Sequence, residues 1–261
     1  MDNNLNIALD IARRDIYAFI SIATADPASR ERHLDDATTP AILNAALKLI
    51  REDSEFHPAS LGPGEIHPAE LRLRFPAQME TSIEAEYAPV FGHCASKDCP
   101  PYETEYCGLK DITFRSQQMA DVAGFYNAFG LRISSQAHER VDHVSLETGF
   151  MSVLITRQLH AVHENLPLET VQVCREAQRK FFKDHLGWWL PAFGIRLKRH
   201  ASGFYVVLGQ LICAFVPAER SILGLQPVTH MPTAETRPSE EMMCQGCDAA
   251  PATEIPIASI Q

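Results

Sequence analysis

The sequence predicts an all-α protein, a single helical bundle followed by a flexible tail. Three observations predict it: apolar residues recur at helical spacing along most of the chain, clusters of proline and glycine punctuate those stretches, and no segment alternates apolar and polar residues as a half-buried strand does. The first helix is expected over residues 5–24, where Leu5, Ile7, Leu9, Ile11, Ile16, Phe19 and Ile20 are apolar. Asp26-Pro27 ends it, because proline disfavours helix in the residue before it. Thr39-Pro40 opens the second helix, with Thr39 as N-cap and Pro40 at the first helical position, and Ile42, Leu43, Ala46, Leu47 and Ile50 keep the spacing. Pro58, Gly62, Pro63, Gly64 and Pro68 make the next stretch a loop.

After Pro76, the residues Met79, Ile83, Tyr87 and Phe91 recur every fourth position, one face of a helix, and Pro100-Pro101 mark a break before the next one. A helix over residues 112–131 carries the stripe Met119, Val122, Phe125, Tyr126 and Phe129, which reads as core. Gly92 and Gly130 read as C-caps, where a left-handed residue is wanted. Asp142 is placed to cap a helix running through Leu146, Phe150, Val153 and Leu154 to about Glu164. Pro167 starts another, with Val171, Cys174, Ala177, Phe181 and Phe182 inward. An aromatic stretch with Trp188 and Trp189 follows, kinked or restarted at Pro191, and a last apolar helix covers residues 204–215. Beyond Pro227 the chain turns to proline, threonine, alanine and glutamate, with few large apolar residues. The division expected is a helical domain over residues 1–225 and a flexible tail over 226–261 that contains Cys244 and Cys247 as a C-x-x-C pair.

Bulk composition narrows the function. A formal net charge of -10 over 261 residues opposes nucleic-acid binding, since a polyanion is repelled at long range, and suits a basic partner segment. The seven cysteines are odd in number and irregularly spaced, a poor disulfide framework, which points to reduced thiols and a cytoplasmic protein. No apolar run approaches the ~20 residues of a membrane span. Arg13-Arg14 precede an apolar stretch, but Asp2 and Asp10 come before them and Asp15 directly after, so the segment reads as a retained helix and not as an export leader.

Three segments carry the functional reading. The first is Glu86-Tyr87-Ala88-Pro89-Val90-Phe91-Gly92, leading to Cys99-Pro100-Pro101-Tyr102-Glu103-Thr104-Glu105-Tyr106. The second is Gly124-Phe125-Tyr126-Asn127-Ala128-Phe129-Gly130-Leu131. The third is Glu139-Arg140-Val141-Asp142-His143, followed by Leu146-Glu147 and Phe150-Met151. In order and spacing they resemble the TorD/DmsD/NarJ family of molybdoenzyme-specific chaperones, with its tyrosine-phenylalanine-glycine helix end, proline-tyrosine loop, YxxFGL helix end and Glu-Pro-x-Asp-His turn. The resemblance covers about residues 5–220. It departs at one place: Arg140 stands where the family usually has proline, so the turn lacks that residue's rigidity.

The resemblance implies an all-helical chaperone that catalyses no reaction and needs no cofactor of its own. Its partner would be the apo-subunit of a molybdopterin-containing oxidoreductase and that subunit's twin-arginine leader peptide, held until the cofactor is inserted, by a monomer or a dimer. A receptor for two guanidiniums followed by an apolar helix needs carboxylates beside an apolar groove. The residues expected to supply them are Tyr87, Phe91, Gly92, Pro101, Tyr102, Glu103, Tyr126, Phe129, Gly130, Glu139, Asp142, His143 and Glu147. Asp142 serves equally as a cap, and His143 and Glu147, one helical turn apart, can pair with each other.

The alternative function is a cysteine-ligated zinc or iron–sulfur protein acting in cofactor delivery, with Cys94, Cys99, Cys244 and Cys247 as candidate ligands. One C-x-x-C pair without a second at a defined distance is a weak signal, and Cys174 and Cys213 read as core. His160 and His163 can share a helix face, but no His-Glu-x-x-His motif is present.

Overall fold

The apolar stripes become eight α-helices: α1 (Ile7–Thr24), α2 (Thr39–Asp53), α3 (Met79–Phe91), α4 (Ile112–Ala128), α5 (Val144–His163), α6 (Leu168–Phe181), α7 (Gly187–His200) and α8 (Gly203–Ile222). They come from a computed structural model that describes residues 6–28, 34–35, 38–53, 61–92, 96–107, 112–133 and 139–226. Among these residues there is no strand, only an isolated antiparallel bridge between Tyr102 and His143. Cys94, Cys244, Cys247 and residues 227–261 of the expected tail lie outside the described residues.

α8 is the centre of the bundle. It is long and apolar enough to cross a bilayer, but every residue from Leu211 to Arg220 is buried inside the protein, so its composition is that of a core helix. α7 packs along it, with Gly194 and Gly209 at the crossing: a Cβ on Gly209 would lie 2.7 Å from the Gly194 carbonyl oxygen. α3 lies against another side of α8, while α1 packs on α5 and α2, and α5 on α6. Aromatic rings knit the layers. Tyr17 meets Phe215 edge-on at 4.9 Å, and Phe91 is wedged between Phe193 and Tyr205.

Helix ends follow the residues that satisfy them. Gly92 and Gly130 cap α3 and α4 with φ of 73° and 66°, and the Leu131 amide reaches back to the Tyr126 carbonyl at 2.9 Å. Three boundaries differ from the sequence reading. Thr39 already belongs to α2, whose start is tied by the Asp35 carboxylate accepting the Thr38 amide at 2.8 Å. Asp142 does not cap α5; His143 does, its Nδ1 accepting the Ser145 amide at 3.2 Å, because the Asp142 carboxylate is engaged elsewhere. Pro191 does not restart its helix but lies inside α7. The break falls earlier, at a π-turn over Phe182–Leu186 in which the Gly187 amide bonds the Phe182 carbonyl.

α8 also runs beyond its expected end, because Glu219 and Arg220, polar in sequence, are buried partners of other elements. Arg220 pairs with Glu65 at 2.6 Å and pins the preceding loop. Glu219 takes both arms of Arg13, each at 2.7 Å, and Arg13 also holds Asp10 at 2.7 Å and Gln178 at 3.0 Å. Gln158 closes the network by donating to Asp10 at 2.7 Å and accepting from Gln178 at 2.8 Å. Burial alone would lower the Arg13 pKa, but Glu219 and Asp10 outweigh it and hold the guanidinium firmly charged. The first arginine of the Arg13-Arg14 pair is therefore the bolt joining α1, α6 and α8.

Removing one member of such a buried pair strands the other charge, which costs about 3–5 kcal/mol. Arg13→Ala is expected to lose that much in guanidinium chloride unfolding, while Arg14→Ala, whose side chain is 34% exposed beside Asp15, stays within about 0.5 kcal/mol of wild type. Equal losses from the two substitutions would contradict this division of roles.

Candidate functional site

The first and third sequence motifs meet at the start of α5. The segment before α4 is fixed from below: Arg196 of α7 donates to the carbonyls of Lys97 and Asp98, and the buried Tyr106 hydroxyl donates to the Pro100 carbonyl at 3.0 Å. Its upper edge pairs with the turn before α5. The Glu103 amide donates to the Asp142 carbonyl at 3.0 Å, and the Val144 amide to the Pro101 carbonyl at 2.8 Å. Asp142 then uses its carboxylate as a second staple, accepting the Thr104 amide at 3.1 Å and the Thr104 hydroxyl at 2.8 Å.

Behind this edge lies a buried acidic layer. Glu103, Asp142 and Glu147 are all wholly buried. Glu103 accepts from Gln118 Nε2 and Trp188 Nε1, both at 2.9 Å, and faces His185 Nδ1 at 3.1 Å. Glu147 accepts from Trp189 Nε1 at 3.1 Å. His185, Trp188 and Trp189 are spaced i, i+3 and i+4, and they project together from the π-turn and the start of α7.

Three adjacent carboxylates cannot all ionise without water. Burial, then Glu103 and Asp142, push the Glu147 carboxyl well above its ordinary range. Its Oε1 meets no N–H or O–H donor that would hold it ionised. The Glu147 carboxyl is thus driven toward its neutral form, while Glu103 is held by the Gln118 and Trp188 donors.

The outer surface is aromatic and charged. The Tyr102 ring is half-buried, its hydroxyl donating to Glu139 at 3.2 Å. The Arg140 guanidinium lies over that ring, 4.3 Å from its centre, and grips both oxygens of Asp142 at 3.0 and 2.7 Å. Glu105 sits 3.6 Å from Arg140 and from Arg115. His143 packs edge-on against Tyr102 at 5.1 Å, with Nε2 3.4 Å from Glu139. Burial lowers the His143 pKa to about 3 despite the pull of Asp142, so the ring is neutral and its contact with Glu139 is no ion pair. Burial and Glu139 raise the Tyr102 hydroxyl to about 12, which keeps it a donor.

Of the residues expected from the sequence, Pro101, Tyr102, Glu103, Glu139, Asp142, His143 and Glu147 converge here. Tyr126 joins them through a hydroxyl bond to the Val141 carbonyl at 3.0 Å. The others are elsewhere. Tyr87 meets Phe91 at a tilt, 4.9 Å between ring centres, Phe91 itself packs on Tyr205 of α8, and neighbouring Glu86 caps α8 by accepting the Phe204 amide at 2.8 Å. Phe129 and Gly130 end α4, where Phe129 borders a mainly apolar cavity of about 490 Å³ with Leu166, Val173 and Arg157. His143 and Glu147 do not pair, since each side chain has its own partners.

Of the four cysteine candidates only Cys99 lies among the described residues. Cys99 is buried, and its thiol is pushed up to about 11, so it stays protonated. No group of three or more potential ligands is arranged to hold a metal among the described residues. Sequence reasoning missed Thr104, Gln118, His185, Trp188 and Trp189. The i, i+3, i+4 spacing of His185 and the two tryptophans was the available signal.

Comparison with known proteins places this geometry in company. A family model described as the nitrate reductase delta subunit matches residues 66–194. The selenate reductase assembly chaperone protein of Thauera selenatis is 31% identical over 152 residues, 58% of this chain and 75% of that protein. The chaperone protein TorD of Photobacterium profundum is 27% identical over 154 residues, 59% of this chain and 68% of the relative. The perchlorate reductase assembly chaperone protein of Dechloromonas aromatica is 35% identical over 99 residues, which span 38% of this chain and 43% of that relative.

The protonated Glu147 has a consequence for stability. Its folded pKa lies above the unfolded value, so its contribution is complete below about pH 4.3 and is lost as pH rises toward the folded pKa, at about 1.4 kcal/mol per pH unit. Glu147→Gln keeps an acceptor for Trp189 and a donor for Glu103 without a proton to lose. The stability difference, variant minus wild type, is expected to grow in the variant's favour from pH 5 to pH 8 in urea unfolding. A difference that stays flat over that range would show Glu147 to be ionised. His143 acts in the opposite sense, its stabilisation being present above about pH 6.5 and lost as pH falls toward 3, and it is common to both proteins.

Proposed function

The chain belongs to the TorD/DmsD/NarJ family of molybdoenzyme assembly chaperones, and on that premise we propose that it binds the twin-arginine leader and the apo form of one molybdopterin oxidoreductase subunit. It acts in the cytoplasm, holding the subunit until its cofactor is inserted, and catalyses no reaction. The observation that carries this reading is the surface where the Tyr102 ring stands beside the carboxylates of Glu139 and Glu105, a setting that already holds the guanidinium of Arg140. A guanidinium asks for that combination: a ring to stack on and oxygens to pair with.

The buried acids support the role indirectly. Glu147 is closed to a peptide, and Asp142, stapled to Thr104, holds the Tyr102 edge against α5 so that the outer groups keep their spacing. The cavity beside Phe129, with Leu166 and Val173 exposed, offers apolar surface for the hydrophobic part of a leader or for the folded body of the client. A formal charge of -10 favours encounter with a basic segment.

Calorimetric titration with the leader of a co-encoded molybdopterin oxidoreductase subunit is expected to give saturable binding. Tyr102→Ala should weaken it about three- to tenfold through loss of the stacking face, with unchanged helical circular dichroism. No binding of either the leader or the full apo-subunit would overturn the reading.

A further inference from the structure

We propose that Tyr102, Asp142, Glu105 and Thr104 form a guanidinium-binding subsite that the chain's own Arg140 fills, so that an arginine of the client enters it by displacing Arg140. The proposal rests on the leader-binding reading only for the source of the incoming arginine; the subsite itself stands on geometry.

Arg140 makes the contacts by which proteins recognise arginine in a ligand. Its plane covers the Tyr102 ring at 4.3 Å, its Nε and Nη2 take the two oxygens of Asp142 in a fork, and Glu105 adds a carboxylate at 3.6 Å. Thr104 adds a hydroxyl acceptor to Nη2. The receiving groups are built in place independently of Arg140. Asp142 is wholly buried and anchored by the Thr104 amide and hydroxyl, and the Tyr102 ring is fixed by its bond to Glu139. The subsite nevertheless reaches solvent, because the Arg140 side chain is 39% exposed while its partner Asp142 is at 0%.

Charge explains why the subsite must be filled. Asp142 and Glu103 are buried beside each other, and without a cation on Asp142 the layer would hold an uncompensated anion. Any guanidinium answers that need, and Arg140, two residues from Asp142, answers it from within the chain. A tethered competitor acts at high effective concentration and lowers the apparent affinity for a free one, so the wild type holds an arginine ligand below its intrinsic strength. One further group faces the same surface with capacity to spare: His143 is 1% exposed, and its Nε2 has no hydrogen-bond partner although Glu139 is 3.4 Å away.

The test uses the full chain and N-acetyl-arginine amide as the probe, with N-acetyl-lysine amide as control, followed by calorimetry and by the ring resonances of Tyr102. Arg140→Ala should bind the arginine probe at least about tenfold tighter than wild type, as replacement of a charge-assisted pair implies. The lysine probe should gain less, since it cannot fork, and Tyr102→Leu in the Arg140→Ala background should abolish the gain. Should Arg140→Ala not fold alone, Arg140→Lys keeps a cation at the site without the two-point grip and carries the same titration. An arginine probe that binds neither variant more tightly than wild type overturns the proposal. Leader binding by wild type with no gain in either variant removes the subsite and leaves the leader reading standing; a probe gain without any leader binding does the reverse.

Discussion

The burial of Glu103, Asp142 and Glu147 side by side is the constraint on which the candidate site depends. Carboxylates out of water must each be neutralised, paired or supplied with donors, and each of the three takes a different course. Glu147 keeps its proton, Glu103 collects the donors of Gln118, Trp188 and His185, and Asp142 takes the Arg140 guanidinium and the two donors of Thr104. Those solutions come from four separate places in the chain, residues 104, 118, 140 and 185–188. Satisfying them fixes the edge of residues 101–104 against α5 and α7, and the outer groups, Tyr102, Glu139 and Glu105, inherit their positions from it.

The bundle beneath is held by a different polar knot. Arg13, Asp10, Glu219, Gln158 and Gln178 form a set with every charged group paired, joining α1, α5, α6 and α8. The pocket beside that knot, lined by Asp10, Arg13, Arg175 and Gln178, offers no aromatic ring. The outer edge of the acidic layer does, where Arg140 lies over Tyr102. The contrast separates a network that serves cohesion from one whose outer member is exchangeable, although both are built from buried ions.

Much of this was legible in the sequence, and the failures have physical causes. The helices follow from apolar spacing, and Gly92 and Gly130 cap as a left-handed residue should. Membership of the chaperone family was readable from three ordered motifs, and the relatives bear it out. What periodicity could not supply was partnership at long range. Asp142 looked like a helix cap because capping is local, whereas its actual partner, Thr104, lies 38 residues away. Periodicity ends the last helix at residue 215, short of Glu219 and Arg220, whose buried counter-ions Arg13 and Glu65 lie far away along the chain. His185 and the two tryptophans reach one site because a π-turn resets the register before α7, and hydrophobic pattern does not encode that turn.

The central claim is that the acidic layer welds the Tyr102 edge to α5 as firmly as the core. Amide hydrogen exchange reads this directly, since the Glu103, Thr104 and Val144 amides all donate across the weld. The account predicts that these three exchange as slowly as the amides in the middle of α5 and α8. Exchange at the rate of an unstructured loop would contradict it, and with it the view that buried carboxylates position the outer surface.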